Sequence, residues 1–142
     1  MEFPYVAASV GAFLIVLQQI FMMIAGTYRG KVSIGVGFGT DKELERKIRR
    51  HGNLAENAAI FLVVLGFAEL LTGGSIVTTA LGLTFLVARI CHGIAFSSLS
   101  GSHGQENGAR IFVLCRLVGA LGTGLSGIGL GLYLLFKLAT QT

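Results

Sequence analysis

The sequence predicts an all-α integral membrane protein, a four-helix bundle formed by a single domain over residues 1–142. Hydrophobic residues make up 53% of the chain and charged residues only 13%, about half the charged share of an ordinary soluble domain. Four long apolar runs are separated by short polar ones. Because backbone polar groups in lipid have to be satisfied within their own segment, these four runs indicate four membrane-spanning helices.

The first two predicted helices differ in how they begin. Helix 1 is expected over residues 4–28, since the run from Pro4 to Thr27 carries no charge and exceeds the roughly 20 residues that cross the hydrocarbon. This run is too long for the apolar core of a signal peptide, so we expect it to stay in the mature protein. Helix 2 is expected over residues 41–72, beginning in a charged segment and entering the membrane near Asn53.

Helices 3 and 4 complete the predicted bundle. Helix 3 is expected over residues 75–97, directly after the turn Thr72-Gly73-Gly74-Ser75, which is short enough to make helices 2 and 3 antiparallel neighbours. Helix 4 is expected over residues 109–138. Small residues recur along it at spacings that let helices approach closely in lipid, among them the pairs Ala120 and Gly124, and Gly127 and Gly131.

The lysine and arginine residues predict the topology. Seven of the eleven lie in the segment from Arg29 to Arg50, and the turn between helices 2 and 3 holds none. The positive-inside rule puts this segment in the cytoplasm and both termini on the other side, of the inner membrane if the source is a bacterium. The net charge of +4 therefore reflects membrane topology, and no nucleic-acid partner is expected.

Charged and amide side chains recur where the helices enter the membrane at the cytoplasmic end. They are Arg46, Arg49, Asn53 and Glu56 on helix 2, Arg89 and His92 on helix 3, and Arg110 and Arg116 on helix 4. Spacings of three or four residues put the members on helix 2, and those on helix 3, on one face. A charge that faces lipid costs about 3 kcal/mol or more, so the deeper members should face one another or a water-filled cavity.

Two interpretations of this cluster are open at the level of the residues. In the first, Glu56 and Arg89 form an interhelical ion pair with a purely structural role. In the second, the arginines hold an anionic ligand by bidentate hydrogen bonds. The second accounts for the surplus of arginine, which one glutamate does not neutralise.

Other polar residues are expected to have no direct functional role. Arg46, Arg50 and Glu69 are predicted to snorkel towards lipid headgroups or the membrane surface. His51 and His103 are predicted to be solvated.

Polar and thiol groups inside the apolar runs are also expected to be structural. At least one of Gln18 and Gln19 should turn inward and hydrogen-bond across helices. Cys91 and Cys115 both lie in apolar surroundings, and their spacing gives neither a disulfide framework nor a metal site. They are therefore predicted to be buried thiols.

Three segments resemble one family of membrane proteins. Residues 45–56, with the sequence ERKIRRHGNLAE, resemble the start of helix 2 in the MAPEG superfamily, the membrane-associated proteins in eicosanoid and glutathione metabolism. The spacing of Arg49, Asn53 and Glu56 is the specific part of this signature. Residues 87–92 and 109–111 resemble the family's helix 3 and its entry to helix 4. The resemblance covers nearly the whole chain and is closest to the bacterial branch.

The resemblance implies a homotrimer that binds glutathione, as a co-substrate, between neighbouring subunits at the cytoplasmic end. The residues implied to hold glutathione are Arg29, Arg49, Asn53, Glu56, Arg89 and His92. Arg110 falls where the family places the arginine that stabilises the glutathione thiolate, which makes it the implied catalytic residue, with Arg116 as a possible substitute. The implied activity is that of a glutathione transferase or peroxidase acting on lipophilic electrophiles.

The sequence departs from the eicosanoid branch of the family, and one alternative function stays open. Several eicosanoid enzymes have polar side chains at four positions where this sequence has Gly52, Phe96, Ile111 and Leu114. Prostaglandin or leukotriene synthesis is therefore not inferred. The alternative is a non-catalytic membrane scaffold or small transporter with a structural Glu–Arg pair. Helix 1 contains no acid of the kind that four-helix multidrug exporters require there.

Overall fold

A computed structural model describes residues 3–101 and 109–140, and all the long elements in these ranges are α-helices. The elements are α1 (Tyr5–Val32), α2 (Lys42–Thr72), α3 (Ile76–Ala95), a short 3₁₀ turn (Leu99–Gly101) and α4 (Arg110–Thr140). The four α-helices are each long and apolar enough to cross a membrane. The prediction of an all-α protein with four such helices is confirmed.

Local signals fix the helix ends that shape the bundle. Asp41 caps α2 by accepting a hydrogen bond from the Leu44 N–H at 2.9 Å. Gly73 ends α2 in a left-handed conformation with φ of 69°, and Ser75 opens α3 with a capping box. This tight turn makes α2 and α3 antiparallel, as predicted. The most extensive packing is nevertheless between α1 and α2 and between α3 and α4.

The core lies between these two helix pairs. The rings of Phe61 on α2 and Phe85 on α3 stack with their centroids 3.7 Å apart. Leu14, Leu65 and Leu130 add buried side chains from α1, α2 and α4. Most other large apolar side chains point outward, which fits a bundle whose outer surface is in contact with lipid.

Small residues on α4 form a close seam with α3. A Cβ atom added to Gly119 would lie 2.7 Å from the His92 Cβ, and one added to Gly122 would lie 2.8 Å from the Ala88 Cβ. The predicted close packing of helix 4 therefore occurs, but on a different face from the two pairs singled out in the sequence. A Cβ added to Gly124, Gly127 or Gly131 would meet no described atom within 4 Å.

Glu69 caps α1 from the neighbouring helix, so the prediction that it snorkels is wrong. Its side chain is buried, and its carboxylate accepts hydrogen bonds from the backbone N–H groups of Val6 (3.1 Å) and Ala7 (2.6 Å). The first N–H groups of a helix have no partner within that helix, and Pro4 supplies no side-chain cap. A carboxylate at this position also interacts favourably with the positive end of the helix dipole.

We expect Glu69→Ala to destabilise the protein by about 1–3 kcal/mol, because two half-buried N–H groups at the start of α1 lose their acceptor. Glu69→Gln keeps one carbonyl acceptor and should cost less. Thermal unfolding in detergent, followed by circular dichroism at the helical band, measures both effects. Leu70→Ala, at the exposed neighbouring position, is the control. Equal melting temperatures for Glu69→Ala and this control would contradict the capping role.

Candidate functional site

A groove lined by both charged and apolar residues lies on the outer face of α2 at the end of the bundle where α1 and α3 end and α2 and α4 begin, here called the basic end. Its volume is about 190 Å³, and it is lined by Phe38, Glu45, Ile48, Arg49, Gly52, Asn53 and Glu56. The structure thus brings together Arg49, Asn53 and Glu56, three of the residues proposed from the sequence. We call this feature the α2 groove.

The α2 groove presents groups of both charges. Arg49 and Glu56 are exposed, and neither is part of an ion pair within residues 3–101 and 109–140. The Asn53 amide nitrogen donates to the Arg49 carbonyl at 3.1 Å, which orients this amide along the helix. A Cβ added to Gly52 would lie 3.7 Å from Glu56 Oε1, an ordinary van der Waals distance, so the Glu56 carboxylate lies directly beside the Gly52 backbone. A guanidinium and a carboxylate side by side suit a zwitterionic ligand.

Arg29 does not line the α2 groove. Its Nη1 donates to the backbone carbonyls of Ile34 (3.2 Å), Gly35 (3.3 Å) and Gly37 (2.8 Å) in the segment between α1 and α2. In the described subunit, the side chain of this predicted ligand residue therefore hydrogen-bonds to the chain's own backbone.

Arg89 lies in the interior, away from Glu56. It is only 3% exposed, its Nη1 donates to the Thr123 hydroxyl at 3.0 Å, and its Nε has no hydrogen-bond partner among the described atoms. Glu56 is on the exposed face of α2. The Glu56–Arg89 ion pair of the structural interpretation is therefore absent from the described part of the subunit.

His92 belongs to an aromatic and cationic cluster between α3 and α4. Its ring stacks on Phe96 with centroids 4.9 Å apart, and the Arg116 guanidinium carbon lies 4.9 Å from the centre of the same Phe96 ring. Arg110, the first residue of α4, is exposed. Of the two arginines considered for the catalytic role, Arg110 is thus exposed, whereas Arg116 is half-buried.

Arg46 ties two helices together, so the prediction that it snorkels is wrong. Its guanidinium donates to Glu43 and to the carbonyl of Phe96, and Lys47 also donates to Glu43. The Phe96 carbonyl follows the last residue of α3, where intrahelical donors run out, and this explains the contact.

Glu43 lies in the charged first part of α2, before its apolar stretch. The hydrogen bond from Arg46 is the main reason that the pKa of its carboxyl is lowered to about 2, and the bond from Lys47 adds to this. The carboxylate therefore stays charged at neutral pH, and the Arg46 contact that links α2 to α3 is maintained.

Arg50 and His51 also make contacts inside the bundle, so their predicted solvent or lipid exposure is wrong. The Arg50 guanidinium carbon lies 3.9 Å from the centre of the Phe21 ring. His51 Nε2 is 2.8 Å from Gln18 Nε2, which confirms that one glutamine of helix 1 turns inward, while Gln19 is exposed. Partners on α1 explain both contacts, and no spacing along the chain indicates them.

Two remaining predictions concern the thiols and the connection between α3 and α4. Cys91 and Cys115 are free and half-buried. His103 lies outside the described residues, as does most of the predicted Ser97–Gly108 loop.

Sequence reasoning missed Phe38 as a groove residue. It lies in a glycine-rich segment, where no helical periodicity relates it to α2. Glu45 also lines the groove, and its spacing of four from Arg49 is a signal that could have identified it.

The fold and the groove together define the class of the protein: a four-helix integral membrane protein with a groove of charged side chains at one end. The model of the MAPEG family matches residues 5–132, and the chain belongs to this family. It is accordingly an integral, multi-pass membrane protein of the group associated with eicosanoid and glutathione metabolism. No curated protein matches the sequence.

Proposed function

We propose that this protein binds glutathione in the α2 groove and activates its thiol for reaction with lipophilic electrophiles, as a glutathione transferase or peroxidase. The observation that carries the proposal is the juxtaposition of Arg49, Asn53 and Glu56 in one groove, with neither charge paired within the described subunit. Glutathione has two carboxylates, one ammonium group and a thiol. Arg49 suits a carboxylate and Glu56 suits the ammonium, so the groove is complementary to the ligand.

The proposal gives the other predicted site residues a role through the assembly of subunits into a homotrimer. Arg89, His92 and Arg110 do not line the α2 groove of their own subunit. In a homotrimer with glutathione between subunits, the groove of one subunit would face the helix ends of the next. Arg110 of the partner subunit would then lie close to the glutathione sulfur. This assembly and the glutathione contacts of Arg89 and His92 are part of the proposal.

The chemistry follows from the charge of Arg110. A cation near the sulfur favours the thiolate over the thiol, so more of the nucleophile is present at neutral pH. The thiolate then attacks the electrophilic carbon of a lipid-soluble substrate, forms a C–S bond and displaces the leaving group with its electron pair. In the peroxidase variant the thiolate attacks one peroxide oxygen, the O–O bond breaks, and the other oxygen leaves as an alkoxide that is protonated to the alcohol. A second glutathione thiol then attacks the sulfur of the resulting sulfenic acid, which gives glutathione disulfide and water.

The scaffold alternative receives less support from the structure. It depended on a Glu56–Arg89 ion pair within the bundle. Arg89 instead donates to Thr123, while Glu56 faces outward.

Calorimetric titration of the detergent-purified protein with glutathione tests the proposal. We expect saturable binding, and weaker binding of cysteinylglycine, which lacks the glutamyl ammonium and carboxylate. Conjugation of a lipophilic aryl halide with glutathione should accompany binding. Absence of both binding and conjugation in the folded protein would favour the scaffold.

The proposal requires the basic end to face the cytoplasm, where glutathione is abundant. Single cysteines introduced between residues 31 and 42, in a variant with Cys91 and Cys115 replaced by serine, should resist a membrane-impermeant thiol reagent in intact cells. A cysteine at the N-terminus should react, since the positive-inside rule puts it on the other side. Permeabilised cells give the control for accessibility. The opposite labelling pattern would overturn this topology.

A further inference from the structure

Cys91 on α3 and Cys115 on α4 form a thiol pair. Their side chains are hydrogen-bonded to each other, although the whole connection between the two helices separates them in the sequence. Neither is part of a disulfide, and both are half-buried. No spacing along the chain indicates this pair, because it depends on how α3 packs against α4.

The seam between α3 and α4 is tight beside the thiol pair. A Cβ added to Gly119, one turn after Cys115, would lie 2.8 Å from the backbone nitrogen and 2.9 Å from the Cα of His92, the residue that follows Cys91. The backbones of the two helices are therefore nearly in contact at this level. A disulfide needs Cα atoms within about 7 Å of each other, and close packing of two helices makes such a separation possible.

The thiol pair lies near the basic end of the bundle. Because α3 ends at Ala95 and α4 begins at Arg110, both thiols lie about 6–8 Å along their helices from this end, at about 1.5 Å per residue. Both side chains are only half-buried, so a small lipid-soluble molecule can reach them. The pair thus differs from thiols that are enclosed in a core.

We infer that Cys91 and Cys115 form a redox modification site, which an organic hydroperoxide converts to a disulfide that links α3 to α4. A cysteine oxidised to sulfenic acid condenses with a nearby thiol, so a partner within reach is characteristic of redox-sensing cysteines. Each of these two cysteines has that partner on the neighbouring helix. The inference does not depend on the proposed function, because neither cysteine lines the α2 groove and its test requires no glutathione.

The oxidation takes place in two steps. One sulfur, as its thiolate, attacks a peroxide oxygen, the O–O bond breaks, and the other oxygen leaves as an alkoxide that takes up the thiol proton to give the alcohol. The second sulfur then attacks the sulfenic sulfur, the S–O bond breaks, and hydroxide leaves with the proton of the second thiol as water. The thiol pair is oxidised to the disulfide, and the hydroperoxide is reduced to the alcohol and water.

The disulfide is expected to be reversible in the cell. In the topology proposed above, the basic end faces the reducing cytoplasm, where disulfides are usually transient and catalytic or redox-sensing. Cellular thiols would therefore return the pair to its reduced form by thiol–disulfide exchange.

Treatment of the reduced, detergent-purified protein with cumene hydroperoxide tests the inference. Trypsin cleavage after Arg89, Arg110 and Arg116 puts the two cysteines on separate peptides. Mass spectrometry without reduction should find these peptides joined, and dithiothreitol should separate them and restore both thiols. Two thiols that stay free, or that are oxidised independently to sulfinic acids, would overturn the inference. Cross-linked dimers on a non-reducing gel would also overturn it, because the disulfide would then join two subunits.

Cys91→Ser and Cys115→Ser are the matched controls. Each variant leaves one thiol without its partner, so the same treatment should carry that thiol on to sulfinic acid, which dithiothreitol does not reduce. Circular dichroism verifies that the helices are intact. Oxidation that dithiothreitol reverses as fully in both single variants as in the wild type would contradict a role for the neighbouring thiol.

Phenylarsine oxide tests the pair without any oxidation. Trivalent arsenic forms bonds to two neighbouring sulfurs, and the second bond adds to the first within one molecule. We expect each serine variant to bind the arsenical about 100-fold more weakly than the wild type, because it loses the second As–S bond. Equal binding by the folded wild type and by both serine variants would refute the thiol pair.

Discussion

Arg110→Ala is expected to lower the rate of glutathione conjugation about 100-fold or more, the usual effect of removing a group that stabilises developing or exposed negative charge. Most of the glutathione affinity should remain, because Arg49, Asn53 and Glu56 are unchanged. A cation that acts mainly on the sulfur contributes to the reactive state more than to ground-state binding. The measurement is kcat/KM for a lipophilic electrophile, alongside the Kd for glutathione.

The control for Arg110 is a cation of the same helix at the other end of the bundle. Lys137 lies in the last turns of α4, with its Nζ 5.7 Å from the centre of the Tyr133 ring. Lys137→Ala should leave conjugation unchanged. A large loss of rate in Arg116→Ala combined with full activity in Arg110→Ala would contradict the role given to Arg110 and transfer it to Arg116.

Arg49→Ala and Glu56→Gln are expected to weaken glutathione binding by roughly 1.5–3 kcal/mol each, the contribution of a charge-assisted hydrogen bond. This corresponds to a factor of about 10 to 150 in Kd. Both side chains are exposed, so neither change should destabilise the fold. Calorimetric titration gives the affinity, and circular dichroism verifies the helical content.

Lys31→Ala is the matched control for these two variants. Its side chain is exposed near the end of α1, at the same end of the bundle and outside the groove. Glutathione affinity should be unchanged in this variant. Wild-type affinity in both Arg49→Ala and Glu56→Gln would mean that the α2 groove is not the binding site.

The helices could be predicted because the cost of burying backbone in lipid leaves few alternatives. The main difference is at the end of α1, which continues to Val32 instead of stopping near residue 28. Arg29 and Lys31 in its last turn interact favourably with the negative end of the helix dipole, so charge does not end the helix there. An apolar run therefore predicts which part of a helix crosses the membrane, but it does not predict the residue at which the helix ends.

Helical periodicity predicted which residues of one helix share a face, and it was right for Arg49, Asn53 and Glu56. It does not predict contacts between helices. Glu69 therefore looked like a surface acid, although the unpaired N–H groups of α1 make it a buried cap. Phe38 was missed for a related reason, since its position depends on hydrogen bonds from Arg29 and Asp41 across an irregular segment.

The seam between α3 and α4 shows the same limit. Helix 4 has small residues on several faces, so the sequence does not tell which of them meets a neighbour. The structure puts Gly119 and Gly122 against α3. The choice between faces depends on how the whole bundle packs.

The ultraviolet absorbance of bound thiolate as a function of pH tests most directly the proposal that this protein activates the glutathione thiol. With saturating glutathione, we expect the bound thiol to have a pKa well below the value of about 8.5 for a free cysteine thiol, because a nearby cation favours the charged form. Arg110→Ala should restore an ordinary pKa while glutathione stays bound. An ordinary thiol pKa for glutathione bound to the wild-type protein would contradict the account.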